Sequence, residues 1–143
     1  WPAASETILA EIGEAVQLTA VGVSSTVANP GETILVEVTW QVVHPPQANW
    51  TTLIHLGEPG QKPLATGDSQ PLGGDYPTTV WAAGEIFDDF YTLTIPEELP
   101  DGRYPILIGM YQSDSIERLP LTAAGEPQPH RVYQVTTLEI VSP

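Results

Sequence analysis

The chain is 143 residues long, the size of one domain, and sets 18 acidic residues against 4 lysines and arginines for a net charge of −14. Nucleic-acid binders gain affinity by releasing counterions from phosphates, and Lys62, Arg103, Arg118 and Arg131 cannot form the basic stripe this needs. With 41% hydrophobic residues the chain is not disordered, and with no cysteine it has no disulfides, thiol catalysis or Cys-ligated metal.

The first residues, 1–14, read as a lead-in, in which Ile8, Leu9 and Ile12 could line a helical turn or an extended segment. The sequence opens on Trp1-Pro2, not Met, so it reads as a piece of a longer polypeptide. A strand is predicted from Val16 to Val23, with Val16, Leu18 and Ala20 on one face. Asn29-Pro30-Gly31 is a turn, because Pro presets φ and Gly tolerates a positive one. Beyond it Ile34, Val36, Val38, Trp40 and Val42 alternate with mostly polar neighbours. That period of two marks a strand with one face buried.

Pro45-Pro46 ends this strand, since neither residue can donate to a ladder. Further strands are predicted at Trp50 to Leu56, Pro63 to Thr66 and Glu85 to Ile95, the last with Tyr91, Leu93 and Ile95 inward. A long loop, Asp68 to Gly84, carries Tyr76 and Trp81, which implies that it is packed down. Tyr104 follows the turn Leu99-Pro100-Asp101-Gly102 and opens a strand with Ile106, Ile108 and Met110. That placement resembles a tyrosine corner, whose phenol bonds the backbone a few residues upstream. Val132 to Val141 supplies a last strand, bulged where Val135 and Leu138 fall out of step.

Residues 15–141 thus predict one immunoglobulin-like or fibronectin-III-like antiparallel β-sandwich of seven to eight strands. The 37 Val, Ile and Thr residues favour pleated surfaces, and the 15 prolines and 12 glycines are spread as strand punctuation. No apolar run approaches the ~18 residues of a membrane span, so this segment does not insert directly.

A succession of short motifs carries a resemblance over most of the chain, from about Ile12 to Val141. Pro30-Gly31-Glu32-Thr33 leads to Trp40, followed by Ile54-His55-Leu56. Then come Asp68, Pro71, Gly74, Tyr76-Pro77-Thr78, Trp81, Gly84-Glu85 and Asp88. Gly102-Arg103-Tyr104, Gly109-Met110-Tyr111 and Glu117-Arg118-Leu119-Pro120 close the series. In order, these resemble the β-sandwich domain at the C-terminal end of bacterial membrane glycosyltransferases similar to protein O-mannosyltransferases, of the dolichyl-phosphate-mannose type. Gln112 and Ile116 depart from it where an aspartate and a glycine are expected, and Ala83 stands for a proline.

The resemblance implies an extracytoplasmic accessory domain, tethered to a membrane in the full-length protein. Its partners would be a protein or glycan at the cell surface, or the rest of its own chain. It implies no catalytic residue here, since the family's catalytic carboxylates lie in the membrane portion. No cofactor is implied either.

From the residues themselves, Asp68, Asp75, Asp88 and Asp89 are the candidates for a calcium site, since calcium takes six to eight oxygens. No EF-hand spacing supports them over solvated turn carboxylates. Glu85 and Asp88 could flank a cleft as a glycosidase pair. His44, His55 and His130 lack the partners of a nucleophilic triad or the spacing of a zinc helix. The second functional reading is a carbohydrate-binding module, with Trp50, Tyr76, Trp81 and Phe90 stacking on sugars beside Asp75 and Asp88. It requires a solvent-facing row of rings. The alternative is that Tyr76 and Trp81 pin the long loop over a sheet edge.

Overall fold

A computed structural model describes residues 8–143. The six long strands are β2 (Val16–Val23), β4 (Thr33–Val42), β5 (Trp50–Leu56), β7 (Ile86–Thr94), β8 (Gly102–Gln112) and β11 (Tyr133–Ile140). Five short ones complete the set: β1 (Ala10–Ile12), β3 (Val27–Ala28), β6 (Ala65–Thr66), β9 (Leu121–Ala123) and β10 (Glu126–Pro127). They form two sheets, ordered β10-β9-β1-β2-β4-β7 and β3-β11-β8-β5-β6. The fold is an immunoglobulin-like β-sandwich, as the sequence predicts.

The alternation in β4 does what its period requires. Ile34, Val36, Val38, Trp40 and Val42 are buried against the inward residues of β5, β8 and β11, while Leu35 and Glu37 face solvent. Tyr91, Leu93 and Ile95 are buried as expected. The Tyr104 hydroxyl donates to the Pro100 carbonyl at 2.8 Å, which closes the tyrosine corner and fixes the entry into β8.

Four details differ from the expectation. The sandwich has eleven strands among the described residues, because two- and three-residue strands carry too little periodicity to be read. Ala10–Ile12 is not a lead-in but a strand inside the six-stranded sheet, paired with both β2 and β9; the expectation for residues 1–7 lies outside the described residues. Ala20 is exposed, because the β2–β4 register shifts between Leu18 and Ala20 and turns Thr19 inward instead. The ladder is antiparallel except at one end, where β3 runs parallel to β11. The expected irregularity in the last strand is present, between Gln134 and Thr136.

Candidate functional site

The long connection from β6 to β7 contains most of the residues that the sequence singled out. It leaves the sheet at Gly67, where an added Cβ would lie 2.1 Å from the Thr92 carbonyl oxygen of β7. No side chain fits there, so glycine lets the connection cross against the edge of the other sheet. Ser69 then pairs with Thr52, and a short 3-10 turn follows at Pro71–Gly74.

Asp89 holds this turn. Its side chain lies in β7 on the same face as Tyr91 and Leu93, and the residue is 2% exposed. One carboxylate oxygen accepts the Leu72 amide at 3.0 Å and the other accepts the Phe90 amide at 2.8 Å. Edge strands present unpaired amides, and here a buried carboxylate both satisfies one and fastens the loop beside it. Tyr91 lies next in this layer, its hydroxyl donating to Thr52 at 2.9 Å. Burial, then the nearby Asp89 charge, pushes the Tyr91 phenol well above its ordinary value.

The second half of the loop is fastened by aromatic rings. Trp81 is 2% exposed, and its indole N–H donates to the Tyr76 carbonyl at 2.9 Å. Phe87 packs edge-on against both, with ring centroids 4.8 Å from Trp81 and 5.3 Å from Tyr76. The Tyr76 hydroxyl lies 2.5 Å from both oxygens of Glu85, and that hydrogen bond raises the phenol's pKa. Glu85 also accepts the Ala82 amide at 3.1 Å. Thr78 is fully buried; it accepts the Trp50 amide at 3.0 Å and donates to the Ala48 carbonyl at 2.7 Å.

The candidate ligand-binding rings therefore divide. Trp50 and Trp81 are buried, Tyr76 is half-buried, and Phe90 stands exposed on β7. They form no solvent-facing row on which a sugar could stack. Tyr76 and Trp81 instead pack against Phe87 of β7, so the loop that carries them is held down on that strand.

The acids divide as well. Asp68 accepts the Ile54 amide at 2.9 Å and sits 3.4 Å from the His55 imidazole. Asp88 accepts the Thr39 hydroxyl at 2.7 Å on the outer face of the sheet, while Asp89 points inward and Asp75 is exposed in the loop. Among the described residues, no three of these acids and histidines converge as a metal would require. Glu85 is bonded by Tyr76 in the loop, and Asp88 by Thr39 on the outer face of the sheet.

Sequence reasoning missed Asp89, Thr52 and Thr78 as structural polar groups. For Asp89 the signal was present, since it shares the parity of Tyr91, Leu93 and Ile95. Thr78 gave none, because its two partners lie about 30 residues away.

No protein-family model and no curated protein matches the sequence. Among solved structures, the chain is similar to a Niemann-Pick type C2 protein from the Japanese carpenter ant. The TM-score is 0.53 at 12% identity, over 90% of this chain and 95% of that one. A CARDB domain from Pyrococcus furiosus aligns with a TM-score of 0.47 and 9% identity, over 94% of this chain and 96% of that one. A beta-glucosidase from Listeria innocua aligns at 0.44 and 15%, over 92% of this chain but 16% of the enzyme. At such identities the likeness concerns the fold alone, and it places the chain among immunoglobulin-like β-sandwiches.

Proposed function

We propose that this chain is a non-catalytic accessory domain on the outer face of a membrane. There it would position a glycosyltransferase-like protein of which it is part, the acceptor of that protein, or a neighbouring chain. The observation that carries the reading is the employment of the acidic loop. Of the carboxylates best placed for chemistry, Asp68 and Asp89 accept hydrogen bonds that join the loop to the sandwich, Glu85 accepts them from Tyr76 and Ala82 within the loop, and Asp88 accepts one from Thr39 across the sheet. A catalytic pair needs its oxygens turned toward a substrate. The whole-chain motif resemblance supplies the glycosyltransferase association and the extracytoplasmic side. Sugar stacking, the other reading, loses its platform with the burial of Trp50 and Trp81.

A topology experiment tests the placement. Intact cells expressing the parent polypeptide, tagged in an exposed turn of this domain, are treated with a non-permeant protease. Loss of the tag without lysis is expected, and full protection until lysis would overturn the reading.

A further inference from the structure

The chain has only 4 lysines and arginines, and three of them meet at one place. Lys62, Arg118 and Arg131, together with His130, line an open groove of about 690 Å³ whose remaining walls are Gly60, Gln61 and Gln128. These residues come from three separate turns, after β5, after β8 and before β11. Three cations in one groove of a chain with net charge −14 are a concentration that solubility does not require.

The groove is also built. The Arg118 guanidinium donates to the His130 carbonyl at 2.8 Å, and the Arg131 guanidinium donates to the Arg118 carbonyl at 2.5 Å. Each arginine is held by a backbone oxygen and not by a carboxylate, so its other N–H donors stay uncommitted. Among the described residues the sole ion pair within 4.0 Å joins His55 and Asp68. Glu58, Glu117 and Glu126, close in sequence, therefore neutralise none of the three cations directly.

The backbone is strained at the same spot. His130 and Arg131 both have φ of 58°, two successive left-handed residues neither of which is glycine. Such strain concentrates where a side chain must be aimed. Gly60, at φ 81°, lies directly against the His130 ring, to which an added Cβ would come within 2.6 Å.

We propose that this groove binds a small sugar or short glycan carrying one oxyanion, whether phosphate, sulfate or carboxylate. The guanidiniums and the Lys62 ammonium recognise the oxyanion, in the bidentate and point-charge modes suited to each. The Gln61 and Gln128 amides offer both donors and acceptors to hydroxyl groups. An extended polyanion is disfavoured, because beyond one Debye length it meets the acidic remainder of the surface. The inference is independent of the accessory role proposed above.

The test is a titration of the 15N-labelled 143-residue chain with glucose 6-phosphate, galacturonic acid, inorganic phosphate and plain glucose, followed by amide shifts. Glucose 6-phosphate is expected to move the amides of residues 60–62, 118 and 128–131 together, with a Kd of about 1 mM. Galacturonic acid should follow it, inorganic phosphate should bind more weakly, and glucose should bind least. K62E is expected to weaken binding about tenfold without changing the thermal midpoint, since Lys62 is exposed and makes no hydrogen bond in the groove. R103Q, which removes the one cation outside the groove, should leave binding unchanged. Equal losses in K62E and R103Q, shifts scattered over the surface, or no saturable shift with any anionic probe would overturn the proposal.

Discussion

Replacing Asp89 with alanine removes two hydrogen bonds to a buried carboxylate, from the Leu72 and Phe90 amides at 3.0 and 2.8 Å. Bonds to a charged group contribute about 1.5–3 kcal/mol each, so the gross loss is about 3–6 kcal/mol. An opposing effect is real here. Asp89 is buried without a cation, and its removal relieves the desolvation of that charge. Water can reach the vacated position from the sheet edge and rescue part of the amide bonding. Together these leave an expected destabilisation of about 2–3 kcal/mol, or about 6–12 °C in Tm for a domain of this size. Asp89→Asn keeps one acceptor and should cost about half as much. Thermal and urea unfolding followed by circular dichroism measure both. Hydrogen exchange adds a local signature, because the Leu72 amide should lose its protection in Asp89→Ala ahead of the core strands. A variant within about 0.5 kcal/mol of the parent, or more stable, would refute the assignment of Asp89 as the clasp of the loop.

Gly67→Ala places a Cβ 2.1 Å from the Thr92 carbonyl and should destabilise by at least about 2 kcal/mol in urea unfolding; a silent change would mean that the connection does not cross there. Ile116 has a left-handed φ of 54° and is 76% exposed, so Ile116→Gly relieves backbone strain while giving up little burial. It should stabilise by about 0.5–1 kcal/mol, and a lower urea midpoint would contradict this. Alkali probes the three perturbed phenols. Tyr76, Tyr91 and Tyr111 all have folded pKa values raised above 10.0, so their contribution is complete below pH 10 and is lost as pH rises beyond it. Tyrosinate absorbance from these three should therefore lag behind the ordinary phenol range and rise together with the loss of circular dichroism. Complete titration of a still-folded chain would contradict the burial of Tyr91.

The fold was legible where one face of a strand is buried and its register is regular. The parity of Ile34 to Val42 located a core strand, and the same parity in β7 placed Tyr91 and Leu93 inward. It failed at Ala20, where an extra residue in the β2 ladder reverses the faces and leaves no mark in composition. Asp89 obeyed the parity, but its sequence setting groups it with Asp68, Asp75 and Asp88 as a calcium candidate or a solvated turn carboxylate; a buried carboxylate without a cation is costly and therefore rare. The rings of Trp50 and Trp81 could not be placed by parity: the Trp50 ring packs beside Gly13, far away in sequence, and Trp81 is buried by contacts with Tyr76 and Phe87 made across the loop. Nor could the basic groove be found. Its cations are spread from Lys62 to Arg131, and four basic residues in the whole chain suggested no patch.

The −14 charge takes on two distinct parts in the structure. Several carboxylates of the loop and of β7 act as acceptors for backbone amides and hydroxyls, so they are structural groups as much as solubilising ones. The remainder gives a surface with a single basic interruption, which sharpens the contrast that a small anion would meet.

The accessory role is tested most directly by removing residues 8–143 from the parent polypeptide and profiling glycosylated acceptors by mass spectrometry. The remainder of the parent polypeptide, on this account a membrane portion, is kept at equal abundance in both strains. The account predicts that acceptors are lost or exchanged while the membrane portion remains folded, and that Glu85→Gln or Asp88→Asn in the intact protein leaves the profile unchanged. An unaltered profile after the deletion, or loss of activity on either single substitution with the domain still folded, would contradict it.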